Sequence, residues 1–262
     1  MTFLKHGGRT LCYRLLGDSN KPLLVMAHPL GMTQGVWDDV IPLLLEKFRV
    51  LTWDLPGHGA SASWPEESDE ITPDDLAGEA LALADFADAR RFHFVGTSIG
   101  GVVGQQLLMA HKDRLISALL TNTGVVIGTR ETWITRSADV LQQGLATMAQ
   151  SIVPRWFGTE SCRQQPALLE GWAIIMGRGD DRSYAMLCEM LGKYDYRDKL
   201  EHRSTPLTLV GGRDDVATPP ASLEALAKSS SAPAPIILEK VGHVPSVERP
   251  DNFSQILLER LI

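Results

Sequence analysis

The chain has 262 residues, of which 44% are hydrophobic and 22% charged, and its formal net charge is −7. These proportions are typical of a globular protein and exclude a disordered or fibrous chain. The negative charge argues against nucleic acid and anionic membranes as partners, and no run approaches the ~20 apolar residues of a membrane span. Polar residues are scattered through Met1 to Arg14, where a signal peptide would be apolar, so we expect a cytoplasmic protein.

The cysteines are too few and too widely spaced for a disulfide framework. They are Cys12, Cys162 and Cys188, and we expect all three to be reduced. Because the sequence has no C-x-x-C pair and no histidine cluster, it predicts neither a metal nor a cofactor. It makes no prediction of oligomeric state.

In the first half of the chain, β-like apolar runs alternate with helix-like runs. The predicted strands are Thr10–Leu15, in a hairpin with the residues before Gly7-Gly8, and then Leu23–Ala27, Arg49–Trp53, Phe92–Val95 and Leu115–Thr121. The predicted helices are Trp37–Glu46, Pro73–Ala87 with Thr72 as its cap, and Gly101–His111. This alternation is typical of a mostly parallel sheet with helices on both faces.

The alternation lapses from about residue 129 to residue 198. That stretch is helix-like, is rich in methionine and contains three tryptophans, which predicts a helical cap (129–198) inserted into a core formed by residues 1–128 and 199–262. Alternation then resumes with predicted strands Leu207–Gly211 and Pro235–Leu238 and predicted helices Pro219–Ala227 and Asp251–Leu261.

Ser98 lies in the sequence Gly96-Thr97-Ser98-Ile99-Gly100, between a predicted strand and a predicted helix. A serine at such a tight turn needs small residues two positions away on either side, and both are glycine here. The turn would expose the serine oxygen and place the Ile99 amide at a helix N-terminus, where it can hydrogen-bond an oxyanion. Ser98 is therefore a predicted nucleophile; the alternative is a helix-capping serine in a glycine-rich turn.

A serine nucleophile needs a histidine base and a carboxylate that orients the base. His243 follows the last predicted strand, and Asp214 and Asp215 follow the one before it, at the sheet edge that also displays Ser98. We favour Asp215 as the acid because it opens the turn Asp-Val-Ala-Thr-Pro, and we interpret Asp214 as a solvated or turn-capping neighbour. The chain order of serine, acid and histidine is typical of this architecture.

The remaining histidines are interpreted as structural. His58 lies in a glycine-rich turn and is expected to pack there, whereas the His28 side chain is expected to brace the loop that follows the first central strand. Because Pro29 has no N–H, the Leu30 amide is the expected partner of the Ile99 amide in the oxyanion hole. The segments of four others suggest no catalytic geometry: His6, His93, His111 and His202.

With these residues in place, the whole chain resembles the α/β-hydrolases, and within them it is most similar to the 3-oxoadipate enol-lactonases of aromatic degradation. The residues that carry the closer similarity are Phe48-Arg49-Val50-Leu51, Gly57-His58-Gly59-Ala60-Ser61, Asn122-Thr123-Gly124, Ile127-Gly128, Glu131, Trp133, Arg155-Trp156-Phe157, Ala217-Thr218-Pro219-Pro220 and Val247-Glu248. The resemblance implies the α/β-hydrolase fold: a mostly parallel eight-stranded sheet with helices on both faces and a helical cap.

The chain also departs from the lactonase pattern. It has His28-Pro29-Leu30-Gly31 where the sequences of those enzymes are similar to Asn-Ser-Leu-Gly. It has Asp54-Leu55-Pro56-Gly57 where their sequences are similar to Asp-Thr-Arg-Gly. Val126 replaces the arginine usual before Ile-Gly. Because a dicarboxylate-derived lactone needs a cation for its free carboxylate, other cap arginines could substitute, or they could be surface residues: Arg130, Arg136 and Arg155.

The sequence thus predicts a cofactor-free serine hydrolase for a small carboxylic ester or lactone, with 3-oxoadipate enol-lactone as one candidate. Trp133, Trp156 and Arg130 are the expected substrate-pocket residues. A cofactorless perhydrolase and a C–C bond hydrolase use the same residues and remain alternatives. A non-catalytic small-molecule-binding protein is a further alternative, which the intact set of serine, acid and histidine disfavours.

Overall fold

The computed structural model describes residues 2–200 and 205–261, and His202 lies outside them. In this part of the chain, eight strands form one sheet in the order β1-β2-β4-β3-β5-β6-β7-β8. The strands are β1 Thr2–His6, β2 Arg9–Leu16, β3 Leu23–Ala27, β4 Arg49–Trp53, β5 Phe92–Thr97, β6 Leu115–Thr121, β7 Leu207–Gly212 and β8 Ile236–Leu238. The first two pairings, β1 with β2 and β2 with β4, are antiparallel, and the others are parallel.

The helices lie in the connections between these strands, except for the last two, which follow β8. They are α1 Ile41–Leu44, α2 Pro73–Phe86, α3 Ile99–Ala110, α4 Arg130–Gln143, α5 Leu145–Ile152, α6 Thr159–Gln164, α7 Pro166–Met176, α8 Asp181–Lys193, α9 Pro220–Ser230, α10 Pro245–Glu248 and α11 Pro250–Leu261. Helices α2 and α3 pack together and on β3 and β5, whereas α1 packs on α11, which contacts β6. The predicted α/β architecture, with helices on both faces of the sheet, is confirmed.

The connection between β6 and β7 contains five of these helices, α4 to α8, and we call residues 129–198 the helical segment. Within it, α4 packs along α8, and α5 packs on α7. Thr129 caps α4 by accepting a hydrogen bond from the Thr132 amide (3.2 Å), and Asp180 caps α8 through the Ser183 amide (2.8 Å). No helix among the described residues is long and apolar enough to cross a membrane.

The predicted helix Trp37–Glu46 is wrong in extent. A 3₁₀ turn at Gln34–Trp37 and the four-residue α1 replace it. Thr33 caps the earlier turn, with its hydroxyl oxygen 3.3 Å from the Gly35 amide nitrogen. Most apolar residues of this connection are buried without a continuous helix, although Leu43 is exposed, so their helix-like spacing overstated the length of the helix.

Candidate active site

Ser98 occupies the sharp turn between β5 and α3. Its φ of 59° and ψ of −117° are strained values for a residue other than glycine. A Cβ at Gly96 would lie 2.1 Å from the carbonyl oxygen of Gly100, and a Cβ at Gly100 would lie 2.3 Å from that of Ala27. Both glycines are therefore required by the turn. The Ser98 side chain makes no capping hydrogen bond to α3, which speaks against the alternative of a helix-capping serine.

His243 and Asp215 form a buried pair where β7 and β8 end. His243 Nδ1 lies 2.8 Å from Asp215 Oδ2, and the two residues are 4% and 3% exposed. The His243 amide also donates to the carbonyl of Trp156 in the helical segment (2.8 Å). With Nδ1 occupied by the carboxylate, the Nε2 atom is free to accept a proton.

Asp215 accepts four further hydrogen bonds. The amides of Ala217 and Thr218 donate to Oδ1 (2.8 and 3.1 Å), while the Thr218 hydroxyl and Asn122 Nδ2 donate to Oδ2 (2.6 and 2.8 Å). Burial raises the pKa of the Asp215 carboxyl, but His243 and these hydrogen bonds outweigh burial and bring the pKa down to about 2. Asp215 is therefore ionised and fixed at neutral pH.

Asp214 does not take part in this pair. It is half-buried, its amide donates to the carbonyl of Val241 (2.9 Å), and its carboxylate lies beside Gly158. The structure thus brings Asp215, and not its neighbour, to His243.

Asn122 is a site residue that the sequence reasoning did not assign a role. Its Nδ2 donates both to Asp215 and to the carbonyl of Gly242 (3.0 Å), so it joins the loops that carry the acid and the histidine. Its φ is 49°, a left-handed conformation that asparagine tolerates better than most residues. An asparagine directly after a buried strand was the available signal.

Ser98 and His243 line one cavity of about 570 Å³, together with Leu30, Trp133 and Trp156. Among the described residues, no hydrogen bond joins the Ser98 hydroxyl to His243. Ile99 is fully buried at the start of α3. The cavity therefore brings together the predicted nucleophile, base, one oxyanion residue and both predicted pocket tryptophans.

Arg130 does not reach this cavity. It is exposed at the first position of α4, where its backbone packs against Gly192. Arg136, about two turns further along α4, lines the cavity, as does Arg155. The cavity lining therefore contains the predicted pocket residues Trp133 and Trp156 but not Arg130, although Glu131 and Thr132, next to Arg130 in the first turn of α4, also line it.

Tyr184 of α8 also lines the cavity and was not predicted. It is 2% exposed, its ring stacks on His58 with centroids 6.2 Å apart, and its hydroxyl lies close enough to the Arg136 guanidinium for that charge to act on its pKa. Burial raises the pKa of this hydroxyl, while Arg136 lowers it. Arg136 of α4 and Tyr184 of α8 therefore share one wall of the cavity.

Elsewhere in the described part of the chain, a second cavity of about 420 Å³ contains none of the predicted site residues and is lined in part by Arg14, Asp54 and Arg178. No group of three or more His, Cys, Asp or Glu side chains in residues 2–200 and 205–261 could hold a metal ion. Cys12 and Cys188 are buried thiols, and Cys162 is a half-buried thiol.

Residues 24–256 match the alpha/beta hydrolase family, and the chain belongs to that family. It is 30% identical over 244 residues to 3-oxoadipate enol-lactonase 2 of Acinetobacter baylyi, covering 93% of this chain and 90% of that protein. It is also 30% identical over 244 residues to the pimeloyl-[acyl-carrier protein] methyl ester esterase of Aeromonas hydrophila, covering 90% and 94%. The crystal structure of the enol-lactonase from Burkholderia xenovorans superposes with a TM-score of 0.92 at 29% identity, covering 99% of each chain.

Proposed function

We propose that this protein is a serine hydrolase that cleaves a small carboxylic ester or lactone through an acyl-enzyme. The observation that carries the proposal is the Asp215–His243 pair, whose oxygen and nitrogen are 2.8 Å apart, in the same cavity as the strained Ser98. Enol-lactonases and an ester-cleaving enzyme among the relatives support the same class.

In the proposed reaction, Ser98 Oγ attacks the substrate carbonyl carbon while His243 Nε2 accepts the hydroxyl proton. Asp215 stabilises the resulting imidazolium, and the amides of Ile99 and Leu30 hydrogen-bond the new oxyanion. The tetrahedral intermediate then breaks down: the bond between the carbonyl carbon and the alcohol oxygen breaks, and that oxygen takes the proton from His243. Water then attacks the acyl carbon while His243 accepts one of its protons. Breakdown of this second tetrahedral intermediate breaks the bond to Ser98 Oγ, which takes the proton from His243, and the acid is released.

We further propose that the helical segment acts as a cap and that a carboxylate on the substrate binds Arg136. Arg136 lines the cavity beside the buried residue Tyr184, whose pKa it lowers, and among the described residues it forms no ion pair. Glu131 and Asp139 line the same cavity and offset the charges of Arg136 and Arg155, so the net charge of the lining does not favour an anion. The depth that Arg136 reaches is the supporting feature, and it makes 3-oxoadipate enol-lactone the substrate to test first.

Fluorophosphonate labelling tests the nucleophile. We expect the wild type to be labelled and Ser98→Ala to be unlabelled, with Thr135→Ala as the matched control, because Thr135 offers another cavity hydroxyl. Labelling that persists in Ser98→Ala would overturn the assignment. A wild type that retains a ligand but turns over no ester or lactone would favour a binding protein instead.

A substrate panel tests the specificity. Wild-type rates on p-nitrophenyl esters, neutral lactones and 3-oxoadipate enol-lactone should favour the last, and Arg136→Met should raise its KM ~10-fold or more because a charge-assisted hydrogen bond is lost. Neutral esters should respond to Arg136→Met by less than about twofold, and Arg130→Met is the control because that side chain is exposed. Equal effects on neutral and anionic substrates would exclude the carboxylate role.

A further inference from the structure

Two loops leave adjacent parallel strands at the edge of the cavity, and each carries a buried histidine. His28 directly follows β3, and His58 lies in the loop after β4; Ala27 and Trp53, the last residues of these strands, are paired in the sheet. The two side chains are 0% and 4% exposed, and their ring centroids are 5.4 Å apart. The reaction proposed above does not use either ring.

Each ring bonds the other histidine's loop. His28 Nε2 accepts from the amide of Leu55 (3.0 Å), and His58 Nε2 accepts from the amide of Gly31 (2.9 Å). The Nδ1 atoms donate to nearby carbonyls, His28 to Pro29 (2.8 Å) and His58 to its own loop at 2.8 Å. Because a carbonyl only accepts and an amide N–H only donates, both rings are neutral and protonated on Nδ1.

These bonds fix both peptide units that flank Leu30. The Pro29 carbonyl, held by His28 Nδ1–H, belongs to the peptide whose N–H is the Leu30 amide; this peptide is trans, so the amide points away from the carbonyl. The next peptide is held through the Gly31 N–H by His58. The Pro29 carbonyl also accepts from the Met32 amide at 3.3 Å, which is longer than the 2.8 Å bond from His28. The two histidine bonds therefore help to set the direction of the Leu30 N–H.

The surroundings keep both rings neutral. Burial lowers the pKa of His28, and burial together with the neighbouring His28 ring lowers the pKa of His58 to about 3. The charged groups that act on the pair are Asp54, which raises both pKa values, and Arg9, which lowers that of His58. A protonated ring would have no lone pair for the Leu55 or Gly31 amide, so the arrangement requires the neutral form.

We infer that His28 and His58 are positioning residues that together aim the Leu30 amide at the oxyanion, and we call this pair the histidine clamp. The inference rests on the proposed function, because an oxyanion forms only in that reaction. In this inference, His28 positions the Leu30 amide through the hydrogen bond that its Nδ1–H donates, and this role differs from only packing inside the loop.

Paired amide substitutions at His28 separate these roles. Asparagine can place a donor near the Nδ1 position, and glutamine can place an acceptor near the Nε2 position. We expect His28→Asn to retain kcat within about fivefold and His28→Gln to lose roughly 10–100-fold in kcat with little change in KM, since losing an oxyanion donor outright costs roughly 10²–10³. At His58 the order reverses, with His58→Gln the milder change, because the Gly31 amide needs an acceptor.

His93→Gln is the matched control, since His93 is also buried (6% exposed) but lies within β5. Melting temperatures of all variants, measured alongside, separate folding from positioning. If Ser98→Ala is inactive while His28→Asn and His28→Gln lose kcat equally at equal stability, the clamp is wrong and the proposed function stands. If Ser98→Ala keeps the wild-type rate, the proposed function fails and the catalytic role of the clamp fails with it.

Discussion

The cavity has two sides that are held in different ways. On the sheet side, Asp215 accepts hydrogen bonds from four residues, and the histidine clamp fixes both peptides of Leu30. On the side of the helical segment, Arg136 and Arg155 line the cavity without an ion pair among the described residues. In the proposed reaction, the fixed groups at the sheet edge would stabilise the charge that develops on the substrate, whereas the two arginines of the helical wall would be available to bind a substrate carboxylate.

Removing the acid should have the largest effect. Asp215→Asn is expected to lower kcat by ~10⁴, because the amide cannot hold the His243 tautomer that accepts the serine proton. Asp214→Asn is the matched control, one residue away and without a hydrogen bond to His243, and should retain kcat within about twofold. Steady-state kinetics on one ester decides, and similar losses in both variants would show that the two aspartates share the role.

The sequence could predict that Ser98, Asp215 and His243 lie at one edge of the sheet, because each belongs to a short local pattern in the segment that follows a strand. The strands Leu23–Ala27, Arg49–Trp53 and Leu115–Thr121 were predicted with the observed bounds because continuous apolar runs between polar residues mark buried parallel strands. The ends of these strands, and the polar residues that follow them, could therefore be located from the sequence.

What the sequence could not supply were contacts between distant residues. Asn122 reaches Asp215 across 93 positions, and Tyr184 meets Arg136 only because α8 packs along α4. Arg130 was expected in the pocket from its residue type, but helix orientation, which no local pattern fixes, leaves it exposed. Such contacts follow from tertiary packing and not from spacing.

Glu248 connects the two sides of the cavity, and removing its carboxylate is the next test of how they are held together. Glu248 is 5% exposed, and its carboxylate accepts from the amide of Gly242, beside His243, at 2.7 Å. It also accepts from the amide of Gly158 (2.8 Å) and the hydroxyl of Ser161 (2.7 Å) in the helical segment. Burial raises the pKa of this carboxyl, and these hydrogen bonds lower it by less, so the pKa remains above its usual value.

Glu248→Ala should lower the free energy of unfolding by about 3 kcal/mol, because it leaves three buried donors without an acceptor. Glu160→Ala, which removes partly exposed ion pairs with Arg249 and Lys240, is the control and should cost less than about 1 kcal/mol. Urea denaturation measures both. Equal losses would mean that the carboxylate does not join the two sides.

Acid should act on the sheet side first, since residues 129–198 contain no histidine. Burial, with a smaller contribution from Arg91, lowers the pKa of His93 to about 4, so the unfolded chain binds the proton more readily. The stability from neutral His93 is complete above pH 6.5 and is lost as the pH falls toward 4, by about 2 kcal/mol at pH 5. His93→Asn should reduce the decrease in unfolding free energy between pH 7 and 5 by that amount, and parallel pH curves would refute it.

The smallest effect is expected at the helical wall. Trp133 is half-buried, and its Nε1 donates to the carbonyl of Ile127, so the indole is held against the cavity. Trp133→Phe keeps an aromatic ring and removes that bond, and we expect KM for a bulky ester to rise ~3-fold, a loss of less than 1 kcal/mol of binding. The kcat for p-nitrophenyl acetate should stay within about twofold, because the sheet side is untouched. A fall in kcat with unchanged KM would mean that this wall also positions the reacting groups, and the division between the two sides of the cavity would fail.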